Sequence, residues 1–296
     1  MSQQLIPREI FQSIFHRHWY NEGSSRHFQA RRLVRTATVS RWWHSAVLLS
    51  VDSLLLTRQI GDAQLLALPN LTEIHVSSQT NFEVTAKGLS SLQKLKYLHK
   101  PDLWNVNNNV LVRLPALQEL RLDEQELGSG NPWLLVELTG LRTLTLYESH
   151  YSTLRQLPRL TRLTSLCVSG SAIVHDAQLW PLVNLTFLDV ASAPNLTGDC
   201  LRTLSALRHL VVLDTKGVDA GFSHVANTLT HLRFNSGSAV RGGHLSRLTA
   251  LETLDAGYSA LQRFGHALPF LYRLRRLDHQ GMIFTGEKLA SLYEIK

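Results

Sequence analysis

Cysteine is scarce in this sequence, whose 296 residues contain only Cys167 and Cys200. Two cysteines so far apart supply neither the disulfide framework of a small secreted domain nor a four-ligand zinc site. No apolar run approaches the roughly 20 residues that cross a bilayer, and the opening MSQQLIPREI lacks the pattern of a signal peptide. We therefore expect no membrane contact and a cytoplasmic location, with the nucleus as an alternative.

The sequence also lacks the common catalytic motifs. It contains no phosphate-binding glycine-rich loop with lysine, no Gly-x-Ser-x-Gly turn and no His-Glu-x-x-His helix. Two histidine pairs, His75 with His99 and His209 with His231, occupy equivalent positions in successive segments, but two ligands rarely make a metal site. We expect solvated histidines, no metal, no cofactor and no enzyme activity, with an enzyme acting through surface histidines as a third alternative.

Charge of one sign is concentrated in one part of the chain. The net charge is +7, and residues 1–50 hold seven arginines against two acidic residues. The remainder is therefore nearly neutral, whereas a protein that follows a nucleic-acid backbone needs an extended basic surface. This distribution argues against nucleic-acid binding and favours a solvated or partner-facing basic surface on the first segment.

Leucine, in contrast, is abundant and regularly spaced. The stretch LVNLTFLDV, residues 182–190, has the pattern L-x-x-L-x-x-L-x-V, and related copies follow at steps of 20 to 24 residues, most often 22. A period of this length is typical of leucine-rich repeats. The last strand position of each copy is Leu56, Val76, Lys100, Leu122, Leu146, Val168, Val190, Val212, Phe234, Ala256 and His279. We predict an α/β leucine-rich-repeat solenoid over residues 51–296, with about 11 repeats of about 22 residues and a short helix at 287–294.

Each repeat should contain one short strand with two different faces. Leu188 and Val190 alternate with Phe187 and Asp189, so the first pair should be buried by the neighbouring repeats while the second lines a concave surface. The corner asparagine typical of the family is replaced, for example by Thr215 and Gly237. Cys167 should point to the concave surface with an accessible thiol. We predict that this surface binds a protein partner through Tyr147, Cys167, Phe187, Asp189, His209, Val211, Leu213 and Arg233.

Residues 1–50 do not follow the repeat and have helical spacing. Ile6-Pro7-Arg8-Glu9-Ile10, Ile14-Phe15 and Val39-Ser40-Arg41-Trp42-Trp43 resemble the F-box, with a serine in place of the usual cysteine. The resemblance implies docking to a Skp-type adaptor of a cullin ubiquitin ligase through Pro7, Ile10, Ile14, Phe15, Leu33, Val39 and Trp43. Alternatively, the same apolar residues only cap the first repeat.

Together these features predict two parts, an F-box-like helical segment at 1–50 and the repeats at 51–296. The resemblance implies a substrate-recognition subunit of a Skp-cullin-F-box ubiquitin ligase, which binds proteins and performs no chemistry. The alternative is a scaffold subunit of a large cytoskeletal, ciliary or ribonucleoprotein assembly.

Overall fold

The computed structural model describes residues 52–56, 62–76, 86–99, 111, 113–123, 137–147, 154–170, 174–257 and 261–286. The F-box-like segment 1–50, with all its predicted adaptor-binding residues, lies outside this part of the chain, as does the expected helix at 287–294. The chain divides into two compact units, Met1–Leu117 and Gln118–Lys296. The predicted boundary after residue 50 adjoins residues that are not described, so it stays a prediction.

The fold is α/β, with short helices and a mostly parallel set of strands. In the first unit, strands β1 (Ser53–Leu56), β2 (Glu73–Val76) and β3 (Tyr97–His99) pair in parallel and in chain order. The α-helices α1 (Asp62–Leu66) and α2 (Ala86–Ser90) follow the first two strands. The expected alternation of strand and short helical connection is present here.

The second unit contains nine of the described strands, paired in chain order. They are β4 (Glu119–Asp123), β5 (Thr143–Tyr147), β6 (Ser165–Cys167), β7 (Phe187–Asp189), β8 (His209–Val212), β9 (His231–Phe234), β10 (Thr253–Asp255), β11 (Arg276–His279) and β12 (Met282–Thr285). All neighbouring pairs are parallel except β11 with β12. Successive parallel strands place equivalent residues of successive turns of the chain side by side.

The connections between these strands are short helical pieces. The α-helices are α3 (Asp176–Leu179), α4 (Gly242–Leu245) and α5 (Leu261–Phe264), and the 3-10 helices are Leu157–Arg159, Gly198–Leu201, Val218–Val225, Ser236–Ser238 and Gly265–Phe270. Within the described ranges, none of the helices combines the length and the apolar character required to cross a membrane.

The leucine spacing of three has a direct structural cause. Leu182 donates its backbone N–H to the Leu179 carbonyl, and Leu185 donates in turn to Leu182, at 3.0 Å each. Hydrogen bonds over three residues form 3-10-type turns, in which every third side chain points the same way. The leucines of the L-x-x-L-x-x-L segment therefore all enter the core, where they are less than 9 % exposed.

The interior row of the sheet is built by the last leucine of each L-x-x-L-x-x-L segment. Leu144, Leu166 and Leu188 are direct register partners on β5, β6 and β7, and each is 0 % exposed. This confirms that the leucines of neighbouring segments bury one another. The last strand positions from Leu122 to His279 are also buried, as expected. For Leu56 and Val76 only the backbone is described, and Lys100 lies outside the described residues.

The parallel series ends in a hairpin that the leucine pattern does not reveal. His279 pairs with Met282, and the two residues between them, Gln280 and Gly281, have φ values of 54° and 75°. Two consecutive left-handed residues form the tight turn that reverses a strand. Strand β12 therefore runs antiparallel to β11.

Candidate functional site

One face of the sheet in the second unit carries most of the predicted partner-binding residues. We call the alternate strand positions that do not enter the leucine core the outward face. Its first row includes Phe187, His209 and His231, which are register partners on β7, β8 and β9. Its second row runs from Cys167 through Asp189 and Val211 to Arg233. Parallel pairing thus brings six of the predicted residues, together with His231, into two adjacent rows.

The first row is a stack of rings. The ring centroids of Phe187 and His209 are 6.4 Å apart, and those of His209 and His231 are 4.1 Å apart. The His231 Nδ1 lies 2.8 Å from the Thr230 hydroxyl oxygen. Burial, followed by the nearby His231 and Arg208, lowers the pKa of His209. The two histidines therefore contact each other, and both remain partly exposed.

The apolar part of the outward face consists of Phe187, Val211 and Leu213. All three side chains are half-buried. Val211 lies in the second row on β8, and Leu213 follows the end of that strand. These half-exposed apolar side chains occupy outward positions on β7, on β8 and directly after β8, among the polar residues of the two rows. We call them the apolar patch.

Cys167 corrects one expectation from the sequence. It occupies an outward position, but it is only 9 % exposed, so the prediction of an accessible thiol is wrong. Burial, with a further contribution from the neighbouring Asp189, raises the pKa of its thiol to about 11. Asp189 is held in place because its Oδ1 accepts a hydrogen bond from the Ala191 backbone N–H at 3.0 Å. Cys167 therefore offers a partner little surface and no reactive thiolate at neutral pH.

The two remaining predicted residues are already engaged by other side chains. The Tyr147 hydroxyl accepts a hydrogen bond from the Arg121 guanidinium at 2.8 Å, and that guanidinium lies 5.2 Å from the ring centroid. Arg233 Nε forms an ion pair with Asp255 Oδ2 at 3.0 Å, with the Arg233 side chain 59 % exposed. An ion pair with this exposure contributes little to stability, so Arg233 remains free to exchange partners.

The other histidine pair lies in the first unit and has the same form. The rings of His75 and His99 stand 4.2 Å apart, and His75 Nε2 lies 2.6 Å from Glu73 Oε1. In the part of the chain that the structure describes, no three His, Cys, Asp or Glu side chains come together as a metal site would require. Each pair is a ring contact between neighbouring strands.

No family model matches this sequence, and no curated protein matches it either.

Strand alternation places Arg121 and Asp255 at outward positions, but it does not show that they hold Tyr147 and Arg233. Sequence reasoning missed His266, which lies against Gly242 of a neighbouring connection. Contacts between connections need the folded chain, because strand alternation does not describe them.

Proposed function

We propose that the chain is a protein-binding adaptor built as a leucine-rich-repeat solenoid of about 11 repeats of about 22 residues. The support is the repeated unit itself: strand partners such as Phe187 and His209 stand 22 residues apart, and leucine-to-leucine 3-10-type turns precede β2 to β8, β10 and β11. Repeats of this kind are stable only when stacked, and stacking leaves one continuous face available for binding.

The observation that carries the binding proposal is the apolar patch of Phe187, Val211 and Leu213 on the outward face. It is bordered by Asp189 and by the exposed Arg233. Binding energy at protein interfaces concentrates in a few aromatic and aliphatic side chains enclosed by polar ones. A protein segment lying across β7, β8 and β9 would cover these side chains and meet a negative and a positive charge at its edges.

The resemblance of residues 1–50 to the F-box extends the proposal to a substrate-recognition subunit of a Skp-cullin-F-box ubiquitin ligase. In this role Pro7, Ile10, Ile14, Phe15, Leu33, Val39 and Trp43 bind the Skp-type adaptor. The repeats bind the substrate, and its lysines gain a high effective concentration near the conjugating enzyme. The protein itself performs no chemistry and acts in the cytoplasm or the nucleus.

Substrate binding is tested by changing the patch. In the full-length protein, Phe187→Ala with Leu213→Ala should weaken the binding of captured partners by about tenfold or more, because each truncation removes an apolar contact. Val183→Ala is the matched control, since Val183 is 47 % exposed and precedes β7 in a connection. Quantitative pull-down with mass spectrometry compares the three proteins, with thermal unfolding as a check on folding. Equal capture by all three would remove the outward face as the binding surface.

Adaptor binding is tested separately with a purified Skp-type adaptor. Ile14→Asp with Phe15→Asp should abolish the complex, whereas the Phe187 and Leu213 changes should leave it intact. If the wild-type protein never binds the adaptor while partner capture still depends on Phe187 and Leu213, the ligase role fails. The scaffold-subunit alternative then accounts for the binding.

A further inference from the structure

A basic depression lies on the connections of the second unit, away from the outward face. It encloses about 480 Å³ and is formed where α4 lies beside α5 and the 3-10 helix that follows. Its lining includes Val240, Arg241, Gly242, Gly243, Arg263 and His266. Arg241, Arg263 and His266 are all exposed. Three groups capable of carrying positive charge therefore share one small concavity.

The repeat places the two arginines together. Strands β9 and β10 pair with a step of 22 residues, as His231 with Thr253, and the same step separates Arg241 from Arg263. The two arginines follow successive strands and line the same depression. The stacking of one turn on the next therefore brings both arginines to the same depression.

A glycine allows the third basic group to approach. A Cβ placed on Gly242 would lie 2.4 Å from the Cε1 and Nε2 atoms of His266. The imidazole therefore lies directly against the Gly242 backbone. A Cβ on Gly243, in contrast, would meet no atom within 4 Å, so the space above this residue is open. The depression has a basic side and an unobstructed entrance.

An acidic side chain beside the depression already has hydrogen-bond partners. Asp219 is 6 % exposed, and its Oδ2 accepts hydrogen bonds from the Arg241 backbone N–H at 3.0 Å and from His244 Nδ1 at 2.8 Å. Among the described residues, no carboxylate forms an ion pair with the side chains of Arg241, Arg263 or His266. Positive charges held close together without a counter-charge repel each other, and a bound anion relieves this repulsion.

We propose that this depression binds a phosphate dianion, either free or as the phosphate of a small monoester. Guanidinium groups match the oxygens of phosphate with paired hydrogen bonds, and a histidine can add a donor. The basic residues form one compact group instead of a track, so the geometry favours a single phosphate over a nucleic-acid backbone. The site is separate from the patch around Phe187 and does not depend on the proposed partner binding.

The test is isothermal titration of the full-length protein at pH 7 and low ionic strength with inorganic phosphate and, in a second series, with glycerol phosphate. We expect saturable binding of one ligand per chain. Arg241→Gln with Arg263→Gln should weaken it by at least about tenfold, because two charge-assisted contacts are lost. If inorganic phosphate and the monoester bind alike, the site recognises the free ion; binding of the monoester alone assigns it to an ester ligand.

Arg247→Gln is the matched control, since Arg247 is an exposed arginine two residues beyond α4 that does not line the depression. It should leave phosphate binding unchanged. Gly243→Asp gives a second variant that should prevent binding without unfolding, because the new side chain enters open space and carries a negative charge. The proposal is overturned if neither ligand shows saturable binding, or if the Arg247 change weakens binding as much as the double change. It is also overturned if a single-stranded oligonucleotide binds and its binding depends equally on Arg241, Arg247 and Arg263.

Discussion

The imidazole rings of His209 and His231 stack with their centroids 4.1 Å apart. The contact arises because these residues are register partners on adjacent parallel strands and both point out of the leucine core. Two imidazole rings are thus held within contact distance. The neighbouring His231 makes protonation of His209 less favourable.

Stability should therefore fall as the pH decreases through the histidine range. The pKa of His209 is lowered in the folded protein by burial, His231 and Arg208, so the unfolded chain binds this proton more readily than the folded one. The contribution is fully present above the unfolded pKa of about 6.5 and is lost as the pH falls from there through the lower folded value. Urea denaturation at pH 5, 6, 7 and 8 measures the slope. His209→Gln should flatten it, whereas His224→Gln, at an exposed position, should not; equal slopes for all three proteins would contradict the prediction.

Alkylation of Cys167 should be slow in the folded protein. Its pKa is raised from 9.0 to about 11, chiefly by burial and next by Asp189. Because the pKa is higher by about two, the thiolate fraction at pH 8, and with it the alkylation rate, is lower by about 100-fold. Iodoacetamide labelling followed by peptide mass spectrometry, with and without urea, gives this ratio. Asp189→Asn should accelerate labelling of the folded protein because it removes a negative charge, and a folded rate equal to the unfolded one would show that the thiol is accessible.

The Thr215 hydroxyl should be a significant source of stability. Thr215 is 1 % exposed, and its Oγ1 donates to the Val190 carbonyl at 2.7 Å and accepts from the Ala193 N–H at 3.4 Å. Thr215→Val keeps the shape but leaves these buried backbone groups without a partner, which costs about 1–3 kcal/mol. Chemical denaturation measures the loss. Thr215→Ser, which keeps the hydroxyl, should cost less than the valine, and the reverse order would show that packing matters more than the hydrogen bonds.

Gly198 and Gly221 mark a point where two connections touch through their backbones. A Cβ on Gly198 would lie 2.2 Å from the Gly221 backbone nitrogen and 2.8 Å from the Ala220 carbonyl carbon. Gly198→Ala must push the two 3-10 helices apart, so we expect a loss of at least about 2 kcal/mol in the free energy of unfolding. Gly243→Ala is the control, since its methyl group enters open space and should change stability by no more than about 0.5 kcal/mol. Similar values for both variants would mean that the contact relaxes without cost.

The contact that Thr215 makes recurs in the next turn of the chain through another hydroxyl group. The Ser238 hydroxyl donates to the Val212 carbonyl, as Thr215 does to Val190 one turn earlier. The leucine period of 22 residues places Gly237, not Ser238, at the position equivalent to Thr215. One residue of difference in the 3-10 helix Ser236–Ser238 decides which side chain reaches the carbonyl, and the leucine period does not specify it.

The sequence by itself determined the repeating core of this protein. Leucines three residues apart all point inward in 3-10-type turns, and residues two apart in a strand share a face, so Leu144, Leu166 and Leu188 had to meet once the turns stacked. Only the tertiary structure decided the rest. Side chains on neighbouring strands determined that Cys167 is buried, and contacts between successive connections brought Arg241, Arg263 and His266 to one depression. The turn at Gln280 and Gly281 reversed the last described strand. These features depend on contacts between turns of the chain, which a repeat pattern does not encode.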